Sequence, residues 1–153
     1  MTTLRGITWN HTRGYAPLAV TAKAWNDFHP DVTIQWDIRS LWSFGEEGLD
    51  DLARQYDLLL VDHPFIGTAA RNGLFVPMGD YVPTLELVTL HEQSAGPSFS
   101  SYLYDNHLWA LPVDAATQVS VARFDWFARV GRTRPANWAE VVLLAKETGG
   151  ATS

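Results

Sequence analysis

Three short stretches gather the side chains best suited to donate, accept or stack. Asn10, His11, Arg13 and Tyr15 form one group, Arg39, Ser40 and Trp42 a second, and Asp62 with His63 a third. Guanidinium and imidazolium groups donate charge-assisted hydrogen bonds, and arginine does so in a forked geometry that fits a carboxylate. Indole and phenol rings offer flat faces to an apolar or sugar-like surface. Polar donors mixed with aromatic faces suit a small polar ligand. Arg13, Arg39, His11 and His63 supply four potential donors, which favours a small organic anion.

Two other chemistries are weighed against binding. Asp62 and His63, adjacent after a strand, suggest acid–base work, but neighbours in an extended chain point to opposite faces and need not converge. The sequence has no nucleophile-elbow, phosphate-loop or dinucleotide motif. Its five histidines lack a metal-ligand spacing such as H-E-x-x-H. A metal-binding variant using His11, Tyr15 and His63 stays open as an alternative, as does an enzyme; turnover against saturable binding separates them. No catalytic residue, cofactor or metal is assigned.

These groups can meet only if the elements around them form an open parallel sheet, whose ligands bind beyond the carboxyl ends of the strands. The pattern supports one. Leu4 to Trp9 reads as a first strand, and the polar loop Asn10 to Tyr15 follows. Pro17 is expected to open a helix at its first position, with Leu18, Ala22, Trp25 and Phe28 on one face. His29-Pro30 ends it. Val32, Ile34, Trp36 and Ile38 alternate with polar residues, a strand with one wet face near a sheet edge. Ser43 and Glu46 read as a capping box for a second helix that turns Leu49, Leu52, Ala53 and Tyr56 inward. Asp57 to Asp62 reads as a buried, parallel-type strand. His63-Pro64 leads into a third helix, closed by Asn72-Gly73 in the left-handed way. The order β-α-β-α-β-α implies right-handed crossovers.

Composition narrows the function classes. Of the 153 residues 46% are hydrophobic and 18% charged, a globular balance, and no apolar run is long enough for a membrane span. Residues 1–116 hold six basic and fourteen acidic side chains, net −8, which argues against a nucleic-acid partner. Cysteine is absent, so disulfides, thiolate metal sites and cysteine nucleophiles are excluded. Seven tryptophans leave rings to spare for a cleft.

Beyond the third helix, Leu74 to Met78 reads as extended, Pro83 to Gln93 as helical and Ser94 to Ser101 as a loop. Asp105-Asn106 is a tight-turn dipeptide. Leu108 to Val113 reads as a strand, and locally the stretch suits an ordinary hairpin as well as a crossover between two lobes. Thr117 to Phe124 alternates like a strand, Asp125 to Val130 is a short helix ended by Gly131, and Asn137 with Glu140 caps a last helix that Gly149-Gly150 breaks.

Three motifs in order carry a resemblance. Asn72 to Met78 with Asp80-Tyr81-Val82, then Tyr104 to Pro112, then Asp125-Trp126-Phe127 with Gly131, Pro135, Asn137, Trp138 and Glu140, resemble the extracellular solute-binding proteins of ABC importers, the family 1 or maltose-binding type. Asn106 stands where the family usually has Gly, and Asn137 where it has Thr; both keep the local backbone chemistry. The resemblance implies an α/β lobe of the periplasmic-binding-protein-like (type II) class, a parallel-type sheet flanked by helices, plus the start of a second lobe. Residues 1–113 would form the first lobe, and 114–153 the crossover and an incomplete second lobe. Asp114 would then flank the cleft beside the three groups. It further implies a small-molecule ligand, with a sugar close behind the organic anion because sugars are the commonest ligands of the resembling family, and, in the complete protein, an ABC transporter permease as partner. A full member would be more than twice as long, so a chain truncated at its C-terminus is expected. The resemblance implies a periplasmic or cell-envelope location, and a cytoplasmic one, with a ligand-sensing role, if Met1 is the true start, since no signal peptide precedes it.

Overall fold

In the computed structural model, which describes residues 1–46 and 48–149 (for 45 and 46 the backbone alone), the chain divides into two compact units, Met1–Ala115 and Ala116–Ser153. In the first, β1 (Thr2–Trp9) and β2 (Val32–Arg39) run parallel, from Thr2 opposite Val32 to Trp9 opposite Arg39. β3 (Leu58–Leu59) joins the other side of β1, pairing Gly6 with Leu58 and Ile7 with Leu59. The sheet order is therefore β2-β1-β3. The first crossover leaves β1 in one direction and the second returns past it in the other. Two right-handed crossovers so arranged put their helices on opposite faces of the sheet.

One crossover is α1 (Thr12–Phe28). It starts earlier than Pro17 suggests, because His11 serves as its N-cap and accepts from the Arg13 amide. Pro17 is an interior residue, and the carbonyl of Arg13 receives no N–H from it. Gly14 makes the early start possible. It is buried, and a Cβ there would sit 2.6 Å from the Trp9 indole and 2.8 Å from the Trp9 carbonyl oxygen. The helix's inward face runs through Leu18, Ala22 and Asn26 in steps of four. Phe28 is exposed and Trp25 stacks on His29 with centroids 4.0 Å apart, so the expected apolar face holds only in its first half.

The second crossover holds two helices rather than one, α2 (Leu41–Glu46) and α3 (Leu49–Gln55). Ser40, not Ser43, begins α2: its Oγ accepts from the Ser43 amide at 3.0 Å. The Glu46 side chain of the expected capping box lies outside the described residues. Phe44 packs on Trp9 with ring centroids 5.2 Å apart, and Leu49 and Leu52 are buried. Asp57 to Asp62 is less regular and less buried than its composition suggests. Only Leu58 and Leu59 pair as strand, extended by Asp57 N to Arg5 O and Leu60 N to Ile7 O, and Leu58 to Val61 are half-buried. Among the described residues β3 has a strand on one side alone, which accounts for both. At the other edge Arg5 pairs with Asp37 at 2.7 Å and Tyr56 donates to the same carboxylate. The Arg5 bond first and the Tyr56 bond second hold Asp37 below the usual carboxylate range.

A short 3-10 turn, His63–Phe65, leads into α4 (Ile66–Arg71). Gly73, at φ 62, closes it, with Leu74 N donating to Ala69 O and Gly73 N to Ala70 O, the double bond of a left-handed helix end. A second 3-10 turn, Met78–Asp80, and α5 (Thr84–Gln93) follow. β4 (Leu103–Tyr104) and β5 (His107–Leu108) form an antiparallel hairpin, with Asp105 and Asn106 both at positive φ. These two central residues make the mirror-image turn that matches strand twist. The hairpin is thus the local outcome. Neither Trp109 to Val113 nor Thr117 to Arg123 forms a strand, against expectation, since neither finds a ladder partner among the described residues.

In the second unit α6 (Phe124–Val130) ends at Gly131, φ 66. In α7 (Trp138–Glu147) the Asn137 side chain accepts from the Glu140 amide, while the Glu140 carboxylate accepts from Asn137 Nδ2 and the Ala136 amide. The capping box therefore forms, with one return bond displaced to Ala136. Arg132 pairs with Glu147.

The contact between Gly14 and Trp9 can be tested directly. Gly14→Ala must push a methyl group into a carbonyl oxygen that β1 holds in place, so a loss of about 1–3 kcal/mol is expected in urea unfolding. An unchanged unfolding midpoint would show that α1 can shift outward at no cost.

Candidate functional site

The three strands are parallel, so the residues that follow them share one rim: Asn10 and His11 after β1, Ser40 after Arg39 of β2, and Asp62 and His63 beyond β3. The strand order reverses between β1 and β3, and the crevice of such a sheet opens at that reversal. Asn10, His11, Asp62 and His63 flank it. Asn10 is tied to the rim by its amide, which donates to the Arg39 carbonyl at 2.8 Å.

The two arginines of the expected donor set have different settings. Arg39 is only 8% exposed. Its Nη2 donates to the Leu60 carbonyl at 3.0 Å and its guanidinium lies 4.8 Å from the Phe44 ring centroid. It is turned into the scaffold. Arg13, in the first turn of α1, is exposed and reaches Asp114 at 2.8 Å across 101 residues of sequence. That pair brings the end of the first unit back to the start of α1. It offers cationic donors and anionic acceptors side by side.

The remaining expected residues are placed as follows. His11 accepts from the Arg13 amide through Nδ1 at 3.1 Å. Tyr15 lies in α1 rather than in a loop, partly exposed. Ser40 is taken up in capping α2 and exchanges a 2.9 Å hydrogen bond with the Ser43 hydroxyl. Trp42 is 75% exposed on α2. Asp62 precedes the 3-10 turn with no capping bond from its side chain, and His63, the first residue of that turn, is exposed. Among the described residues no three His, Asp or Glu side chains are grouped as a metal set.

One residue was missed in the sequence. Tyr102, half-buried ahead of β4, has its phenol pushed up from the ordinary value, by burial first and then by the negative charges of Asp62 and Asp114. It therefore stays protonated, a donor within electrostatic reach of both acids. Nothing in the spacing of the sequence joins positions 62, 102 and 114; only the fold does. A shallow groove lined by Thr12, Arg13, Ala16, Pro17, Val20 and Thr21 runs along the start of α1 from the same arginine.

A family model of bacterial extracellular solute-binding proteins matches residues 8–153. The chain belongs to that family. The solute-binding family is generally non-enzymatic; its members bind ligands and usually work with an ABC permease. The α/β lobe with its parallel three-stranded sheet and flanking helices is consistent with this solute-binding assignment. The family's extracellular character suggests an extracellular or periplasmic location, and among the described residues no helix is long and apolar enough to cross a membrane. No curated protein matches the chain significantly.

The Tyr102 environment yields a test. A raised phenol pKa means that the folded state holds the proton. Stability from this source is complete below about pH 10 and is lost as pH rises through the folded value. In an absorbance titration, Asp62→Asn should bring the Tyr102 step back toward its ordinary position without reaching it, because burial remains. Tyr102→Phe identifies that step. If Asp62→Asn leaves it unmoved, the acid and the phenol do not share a site.

Proposed function

We propose that the chain binds a small, uncharged, hydroxyl-rich solute of the sugar type for delivery to an ABC transporter. The Arg13–Asp114 pair carries this reading. An arginine already neutralised by a carboxylate is a poor receptor for an organic anion, which would have to displace Asp114. A hydroxyl group both donates and accepts, so it can bridge such a pair without leaving either charge unmatched. The charge around the pair points the same way. Asp62 and Asp114 are both acids, Arg39 is turned inward, and the Tyr102 phenol adds a neutral donor. Trp42, exposed beside the rim, supplies a face on which a sugar ring can stack. The four-donor set that favours an anion in the sequence is reduced to two exposed imidazoles and one paired guanidinium.

Calorimetry distinguishes the two ligand classes. A neutral disaccharide such as maltose is expected to bind more tightly than a dicarboxylate such as succinate. Asp114→Ala should weaken the sugar by on the order of 2 kcal/mol, the scale of an interaction with a charged group left unmatched, and strengthen the dicarboxylate by freeing Arg13. Succinate binding preferentially to the unaltered chain would reverse the assignment.

A further inference from the structure

We propose that His11 is a positioning residue: its neutral imidazole caps α1 and thereby fixes the Arg13 backbone from which the guanidinium reaches Asp114. The inference rests on the reading of Arg13–Asp114 as the ligand-contact pair, but concerns how that pair is held. The Nδ1 atom of His11 accepts from the Arg13 amide at 3.1 Å, and the same residue's carbonyl accepts from Gly14 N at 2.8 Å and Tyr15 N at 3.1 Å. An accepting Nδ1 requires the tautomer with its proton on Nε2. Two residues on, Arg13 spans to Asp114 at 2.8 Å.

Histidine is an unusual cap because its acceptor is titratable. Serine, threonine, asparagine and aspartate dominate that position, and serine, threonine and asparagine keep their acceptor at every pH of interest. An imidazolium has two N–H groups and no acceptor, and it places a positive charge against the positive end of the helix. Protonation of the ring therefore removes the bond that orders the Arg13 amide. The other charged and titratable groups at this rim are Arg13 itself and Tyr15 on α1, Asp62 and His63 beyond β3, Asp114 and Tyr102 late in the first unit, and Arg39 at the end of β2. Of these only His63 carries another imidazole, so it is the control. Gly14, pressed against Trp9, leaves α1 little room to find another cap by sliding.

The test is an NMR pH titration of the 153-residue chain without ligand, so that it succeeds or fails independently of what the site binds. The readouts are the His11 ring nitrogens, the Arg13 amide and the Arg13 Nε–H. In the unaltered protein the Arg13 amide and Nε–H are expected to shift with the midpoint of the His11 ring. Amide protection at Arg13, corrected for the intrinsic exchange rate, should fall about fivefold below that midpoint, the usual worth of one cap. H11N, which keeps a capping acceptor but does not titrate, should hold both Arg13 signals constant from pH 5 to 8. H63Q should leave the original profile unchanged. The proposal is overturned if Arg13 ignores the His11 midpoint, if H11N retains the transition, or if H63Q abolishes it.

Discussion

A guanidinium turned away from water at the carboxyl end of a small sheet sets the terms for everything around it. Burying a charge is costly unless its hydrogen-bonding groups are met. Arg39, the last residue of β2, reaches the Leu60 carbonyl just beyond β3, while its own carbonyl takes the Asn10 amide at the end of β1. One residue thus ties together the exits of all three strands. β3 pairs over only two residues, so the bond to Leu60 is a substantial part of what fixes the path into Asp62 and His63. The Phe44 ring lies under the guanidinium and against Trp9, which in turn receives Gly14 of α1. These contacts brace the rim, and the exposed candidate residues are set on it.

With Arg39 committed to the scaffold, the electrostatics of the rim depend on Arg13, Asp114, Asp62 and Tyr102. Two acids and one base leave the site slightly negative, and the raised phenol of Tyr102 follows from its burial first and then from the same acids. Such a set holds donors and acceptors in balance. Under the proposed sugar-type reading, solute binding would rely on geometry and stacking.

Much of this fold can be read from the residues. The helix end at Gly73, the Asp105-Asn106 turn and the Asn137–Glu140 cap all rest on short-range backbone chemistry, and all form; the alternation of β2 holds only from Ile34 to Asp37, since Ile38 is exposed and Arg39, expected on the wet face, is buried. The three motifs that resemble solute-binding proteins are of the same kind, turns and caps at set intervals. The misreadings need information that short windows lack. Pro17 looks like a first helical residue until Gly14 is seen to clear the Trp9 carbonyl. Ser43 looks like the helix cap until the strand end at Arg39 is seen to hand that role to Ser40. The runs 109–113 and 117–123 have strand composition but no partner among the described residues, and a strand exists only in a ladder. The candidate residues were legible as those that follow the strands, although Arg13 and Tyr15 lie in α1 and Trp42 in α2 rather than in loops. What each side chain does there was not, because the burial of Arg39 and the pairing of Arg13 with a residue 101 positions away are tertiary facts.

The role of Arg39 as the tie between strand ends is most directly tested by urea unfolding of Arg39→Met, which keeps most of the side chain's volume and removes its head. The account predicts a loss of about 1.5–3 kcal/mol, the range for a hydrogen bond to a charged group, with no ligand present. An Arg39→Met protein that unfolds at the same urea concentration as the original would contradict it and return Arg39 to the ligand.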